Sequence, residues 1–96
     1  MALEIIWTQT AERQLDRIID YLQTNWTERE IRHFFKNLEK GIEIIRTKPN
    51  QHKESLRKEG SYEYHLSPQT TIFYAFDDKK ATILLLWSNR MDPEKL

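Results

Sequence analysis

Residues 70–76 read TTIFYAF, residues 77–80 read DDKK, and residues 81–87 read ATILLLW. Two apolar runs split by four charged residues predict an antiparallel hairpin, because β-branched and aromatic side chains fit a pleated surface that the charged step interrupts. The second run is apolar at almost every position, which predicts a central strand covered on both faces. Directly after it the chain turns polar and presents Arg90 between Asn89 and the Asp92-Pro93 step, where proline stops a strand. A rigid strand thus delivers one arginine to a surface.

Upstream of the hairpin, Tyr62, Tyr64 and Leu66 alternate with Glu63 and His65, the period of a strand that ends at Ser67-Pro68. Residues 50–61, NQHKESLRKEGS, carry Leu56 as their one large apolar side chain and read as a loop. Between Arg46 and Ser61, the cations Arg46, Lys48, Lys53, Arg57 and Lys58 outnumber Glu54 and Glu59. The loop is therefore locally basic.

Further upstream the period becomes helical. Ile31, Phe34, Phe35, Leu38, Ile42 and Ile45 repeat on a helix running to about Lys48, where Pro49-Asn50 closes it. Thr27 and Glu30 have the spacing of a capping box, and Trp26 with Ile31 that of a hydrophobic staple. Gly41 lies mid-helix at a cost of about 0.8–1 kcal/mol relative to alanine, which predicts close packing against the first helix or the sheet. That first helix is marked by Ala11, Leu15, Ile18, Ile19 and Leu22, starts after Thr8 or Thr10, and ends near Thr24-Asn25. The few residues between the two helices make them an antiparallel hairpin. Before them, Leu3, Ile5 and Trp7 alternate with Glu4 and Ile6 as a first strand. The order β-α-α-β-β-β predicts an α+β fold, a mostly antiparallel twisted sheet with an N-terminal helical hairpin packed on one face.

The chain of 96 residues has the size of a single domain spanning 1–96. It contains no cysteine, which excludes disulfides, thiolate nucleophiles and cysteine-based metal sites. Fifteen basic and fifteen acidic side chains cancel, so the whole-molecule field attracts neither nucleic acid nor an anionic membrane. There is no signal-like start and no apolar run near the roughly 18 residues of a membrane span, so a soluble, cytoplasmic protein without a membrane partner is expected. With only two glycines and three prolines, no linker, low-complexity segment or internal repeat divides it.

Several features recur together: a first strand leading to Trp7-Thr8, the spacing of Ala11, Leu15, Ile18 and Tyr21, and Asn25-Trp26 between the helices. Lys48-Pro49, the Ile72-Phe73-Tyr74 strand and the ending LWSNRMDPEKL at 86–96 complete the set. In these respects nearly the whole chain resembles the RelE/ParE superfamily of bacterial toxins from type II toxin-antitoxin modules. The resemblance implies a growth-inhibiting toxin, of the kind that stabilises plasmids, neutralised by a cognate antitoxin whose disordered segment folds onto it. It implies no cofactor, and it allows a homodimer or a toxin-antitoxin hetero-oligomer. RelE-like members are ribosome-dependent, metal-independent mRNA endonucleases. They use Arg and Lys to stabilise the phosphorane and a Tyr or His near the C-terminus for proton transfer. ParE-like members block DNA gyrase without a catalytic set. Cleaving members carry cations on the two middle strands at positions matched here by Glu63 and Thr71, and no His or Tyr follows Arg90. The ParE-like reading is therefore preferred. The alternatives are the endonuclease, with Arg90, Arg57 and His65 as its catalytic residues, and a degenerate member that keeps only antitoxin binding.

The candidate binding residues are Lys53, Arg57, Lys58, Tyr62, Tyr64 and Arg90. Arg90 offers a bidentate contact to phosphate or carboxylate, or else a salt bridge to Asp92 that fixes the last turn. The basic loop either steers an anionic partner or is simply solvated. His65 is either a general acid-base group or a structural residue; His33 and His52 are weaker candidates. Trp7, Trp26, Trp87 and the pair Phe34-Phe35 are read as core or staple, and Tyr74 as core. Tyr62 and Tyr64 remain open between packing and partner contact. With no cysteine and with its histidines far apart in sequence, the chain offers no metal-ligand pattern.

Overall fold

The structure is a computed structural model describing residues 2–51, 54–56 and 60–88. Its elements follow the expected order: β1 (Glu4–Trp7), α1 (Gln9–Asn25), α2 (Glu28–Thr47), a one-turn 3-10 helix (Pro49–Gln51), β2 (Tyr62–Ser67), β3 (Thr70–Phe76) and β4 (Lys80–Ser88). The four strands form one sheet in the order β1-β4-β3-β2. Only the β1–β4 pair is parallel. The helices carry the chain from one edge of the sheet to the other, and two hairpins bring it back beside β1.

Strand register divides the side chains between two faces, since residues directly opposite one another share a face. Toward the helices point Trp7, Ile83, Tyr74 and Tyr62 in one row, and Leu86, Ile72 and Tyr64 in the next. Away from them point Glu63, Phe73 and Leu85, then His65, Thr71 and Trp87. Both rows hold because the β3–β4 register shifts at Phe73/Tyr74, where Phe73 faces Leu85 but Tyr74 faces Ile83. Leu84 is the extra residue. Without this bulge, one end of β4 would turn its apolar residues to the wrong side.

The core lies between the helices and the first of these faces. Ala11, Ile18 and Leu22 of α1 and Phe34, Leu38 and Ile45 of α2 meet Ile72, Tyr74, Ala81, Ile83 and Leu86. Each fully buried large apolar side chain contributes about 1.5–3 kcal/mol relative to exposure. β4 is central, as the sequence predicts, but it is not covered equally on its two faces. Thr82, Leu84, Leu85 and Trp87 are only half-buried, because both helices pack on the same side. Two of the aromatic residues lie outside the core. Trp26 and Phe35 are each 37% exposed. Successive helical residues lie about 100° apart, so Phe34 takes the inward position and Phe35 is left to touch it edge-on, ring centres 5.8 Å apart.

Helix α1 is capped by Thr8, whose Oγ1 accepts from the Ala11 N–H at 3.0 Å and donates to the Leu84 carbonyl at 3.0 Å. The same residue's N–H donates to the Ile83 carbonyl at 3.1 Å. β1 pairs with β4 only as far as Ile83. Beyond that point the Leu86 N–H is taken by Gln14 Oε1 at 2.8 Å, so a helix side chain satisfies a donor that no strand reaches. At α2 the expected capping box is present, with Thr27 Oγ1 accepting from the Glu30 N–H and Glu30 Oε1 accepting from the Thr27 N–H. The β3–β4 turn is organised by Asp77, whose Oδ1 accepts from the N–H groups of Lys79 and Lys80, each at 2.8 Å.

Gly41 packs against the sheet. A Cβ there would stand 2.7 Å from Tyr64 Cε2 of β2, closer than van der Waals contact permits. Gly41→Ala is therefore expected to lower stability by about 1–2 kcal/mol, overpacking outweighing the better helix propensity. In a Tyr64→Ala background the same change should raise stability, and chemical denaturation of all four proteins in the cycle reads the sign.

The backbone bonds from Lys79 and Lys80, joined by the charge of the two lysines, hold the Asp77 carboxyl below its usual range. A carboxylate depressed in the folded state stabilises above its unfolded pKa and loses that contribution as pH falls through the folded value. The stability difference between the native chain and Asp77→Ala should thus be constant from pH 5 to 7 and shrink below about pH 4. Denaturation midpoints measured across that range test it.

Candidate functional site

The sheet face opposite the helices carries the polar arrangement of greatest chemical interest. Strand alternation alone puts Glu63 and His65 on the same side of β2, two residues apart. The β2–β3 register then places Thr71 directly opposite His65. His65 Nδ1 lies 3.2 Å from Thr71 Oγ1, and the ring's tautomer sets which of the two donates. Its Nε2 lies 3.6 Å from Glu63 Oε1, an ion pair when the ring is protonated. The other carboxylate oxygen, Oε2, accepts from Ser55 Oγ at 2.6 Å.

Ser55 reaches this position because the chain before β2 folds back on itself. The Ser55 N–H donates to the Ser61 carbonyl at 2.7 Å, and Glu54 bridges Tyr62 in antiparallel fashion. Gly60, with φ +79, turns the chain here in a conformation that side-chain-bearing residues rarely adopt. The result is a string of side chains, Ser55–Glu63–His65–Thr71, in which the carboxylate is largely enclosed at 15% exposure and the imidazole open at 66%. Phe73 lies beside Glu63 in register at only 5% exposure. Among the described residues, the one cation in register on this face is Lys80, opposite Glu4 at its far end.

Of the residues singled out from sequence, Lys53, Arg57, Lys58 and Arg90 lie outside the described residues, as does His52. The structure does not bring His65 together with Tyr62 or Tyr64, whose side chains turn to the helix face. Tyr62 stacks on Tyr74, ring centres 5.7 Å apart, and leans on Phe76 at 5.0 Å. Tyr64 covers Gly41. Tyr74 is fully buried as expected, and it also has a polar partner, donating from its hydroxyl to the Pro49 carbonyl at 2.6 Å. Burial, then the neighbouring Tyr62, pushes its pKa up to about 12. His33 stands exposed on α2. Ser55 is a partner the sequence does not announce, and Thr71, which the resemblance marks only as a position matched to a cation, turns out to bond His65: the side-by-side placement of Glu63 and His65 is legible in the alternation, but their partners depend on register and on a loop's path. No group of three or more His, Asp or Glu among the described residues is placed to hold a metal ion, and no described helix is long and apolar enough to cross a membrane.

A four-stranded, mostly antiparallel sheet with a helical hairpin on one face is the architecture of RelE/ParE-type toxins. The chain belongs to the ParE toxin family of type II toxin-antitoxin systems, parDE, whose family model matches residues 5–93. Its fold is similar to that of a chain in the chromosomal ParDE toxin-antitoxin system from P. aeruginosa, with TM-score 0.75 and 16% identity over 91% of this chain and 96% of that one. It is also similar to a chain of the E. coli DinJ-YafQ toxin-antitoxin complex, with TM-score 0.63 and 9% identity over 94% and 96% of the two chains. The YoeB dimer from Staphylococcus aureus gives TM-score 0.63 and 17% identity over 91% and 97%. No curated protein sequence matches the chain. At these identities the structural likeness establishes the fold, and the family rests on the sequence model.

Glu63 joins Ser55 to His65 in the polar string, so its removal tests the string as a whole. Glu63→Ala removes the charged acceptor of Ser55 Oγ, a bond of a class that contributes about 1.5–3 kcal/mol. Stability is expected to fall by about that amount, and exchange of the Ser55 amide, which returns the loop to Ser61, should accelerate in hydrogen-exchange measurements.

Proposed function

We propose that this toxin is held inactive by a cognate antitoxin and acts as a non-catalytic inhibitor of a target such as DNA gyrase. Family membership establishes a type II toxin of the ParE/RelE kind. Similar folds occur in two toxin-antitoxin complexes, which supports an antitoxin partner here. In this reading free toxin arrests growth in the cytoplasm once the antitoxin is lost, the behaviour by which such a pair stabilises a plasmid.

The observation that carries the choice of mechanism is the carboxylate of Glu63. RNA cleavage through the 2′-hydroxyl builds negative charge on a phosphorane, which preorganised cations stabilise. Here the position matched to one such cation holds a carboxylate, and the position matched to the other holds Thr71, hydrogen-bonded to His65. A face used for binding rather than catalysis has no such requirement.

Expression of the chain in bacteria, with and without its neighbouring reading frame, tests both parts. Growth arrest relieved by the neighbour, with intact transcripts and gyrase-dependent DNA damage, is the expected result. Arrest with mRNA cut inside translated codons would overturn the mechanism and make His65 the proton-transfer group, with His65→Gln then abolishing cleavage. Absence of arrest in either strain would leave a member that retains only antitoxin binding.

A further inference from the structure

Two side chains of the polar string stand at the separation of neighbouring metal ligands. His65 Nε2 and Glu63 Oε1 are 3.6 Å apart. Two donors held at about 2.0–2.1 Å from one Zn²⁺, with a tetrahedral angle between them, lie about 3.4 Å from each other. A strand supplies the spacing by itself, because residues two apart share a face. Orienting both groups is the harder requirement, and each has a partner that meets it. Thr71 Oγ1 lies 3.2 Å from His65 Nδ1. When the ring proton sits on Nδ1 and is donated to the threonine, Nε2 keeps its lone pair. Ser55 Oγ donates to Glu63 Oε2 at 2.6 Å, which anchors one carboxylate oxygen while Oε1 is the one nearer the imidazole. Metal sites fix their ligands in this manner, through a hydrogen bond to the far nitrogen of the ring and another to the ligating carboxylate. With the carboxylate 15% exposed and the ring 66% exposed, an ion between them sits at the surface, in reach of water.

We infer that Glu63 and His65 form a two-residue site for a divalent transition-metal ion such as Zn²⁺, completed by water, with Thr71 and Ser55 as its positioning residues. Imidazole beside carboxylate suits Zn²⁺ and its neighbours in the transition series, whereas Mg²⁺ takes oxygen ligands and holds on to its water. Because the protein supplies two ligands and solvent the rest, the site is open and its ion exchangeable, unlike the closed four-ligand sites that hold small domains together. His33, the other described histidine, is exposed on α2 with no carboxylate within ion-pair distance among the described residues, and it serves as the internal control. An ion on Glu63 and His65 also reaches the chain before β2, since Glu63 holds the Ser55 hydroxyl and the Ser55 N–H donates to the Ser61 carbonyl. The inference is independent of whether the toxin acts on gyrase or on mRNA.

Isothermal titration calorimetry of the full chain with Zn²⁺ alone, and with Mg²⁺ alone, tests the site. Zn²⁺ is expected to bind and Mg²⁺ to give no heat of binding. His65→Gln, at an exposed position where the fold is not at stake, should abolish the Zn²⁺ isotherm, and Glu63→Gln should do the same while leaving Ser55 an acceptor. His33→Gln should leave it unchanged. Thr71→Val keeps the shape of the side chain but removes the hydroxyl that orients the ring, and it should weaken Zn²⁺ binding by about tenfold or more, with Thr71→Ser restoring it. A second readout follows the loop: Zn²⁺ should slow hydrogen exchange of the Ser55 amide in the native chain and not in His65→Gln. Absence of Zn²⁺ binding to the native chain would overturn the proposal. Binding that survives His65→Gln would show an adventitious ion only and overturn it equally. Full affinity in Thr71→Val, or equal affinities in the valine and serine variants, would overturn the positioning role of Thr71.

Discussion

The hydroxyl of Thr8 is the joint on which the fold turns. It accepts from the Ala11 N–H in the first turn of α1, and it donates to the carbonyl of Leu84, the extra residue of the β4 bulge. Its backbone meanwhile extends the parallel β1–β4 pair by one more bond. A helix cap of this kind contributes about 1–2 kcal/mol and a second hydrogen bond about 1 kcal/mol. The geometric consequence is larger than the energy. Where Thr8 grips β4, it fixes the direction in which α1 leaves the sheet and stabilises the register shift that sends Ile83 and Leu86 to the same core.

From that joint the two faces acquire different tasks. The helix side is a dry core closed at one end by the Tyr62, Tyr74 and Phe76 rings and tied to the end of α2 through Tyr74 and Pro49. The opposite face is left with half-buried apolar residues of β4 beside the Ser55–Glu63–His65–Thr71 string. The buried cluster shared with the helices lies on one side of the sheet, and the polar string lies on the other. The carboxylate of Glu63, held by Ser55 and beside His65, is the centre of that string.

The periodicities of α1 and α2, the box at Thr27 and Glu30, and the hairpin around Asp77 depend on neighbours within a few residues, and each is visible in the sequence for that reason. The close approach at Gly41 was legible too, since a glycine in the middle of a good helix needs a reason; that the neighbour would be Tyr64 was not. Phe35 shows where the pattern misleads. A wide apolar stripe names more residues than a single core face can take, and the helix's rotation about its axis is set by Phe34 and Leu38 reaching the sheet.

What the sequence by itself determined is the set of elements, their order, the α+β class and the family, because these follow from local periodicity, capping and the sum of many weakly specific positions. Only the tertiary structure decided that β1 runs parallel beside β4, that Leu84 is a bulge, and that Ser55 and Thr71 complete a polar string around Glu63 and His65. The physical reason is range. Local elements are selected by interactions over three or four residues. A site is selected by register, and a shift of one residue moves every side chain on a strand to the other face.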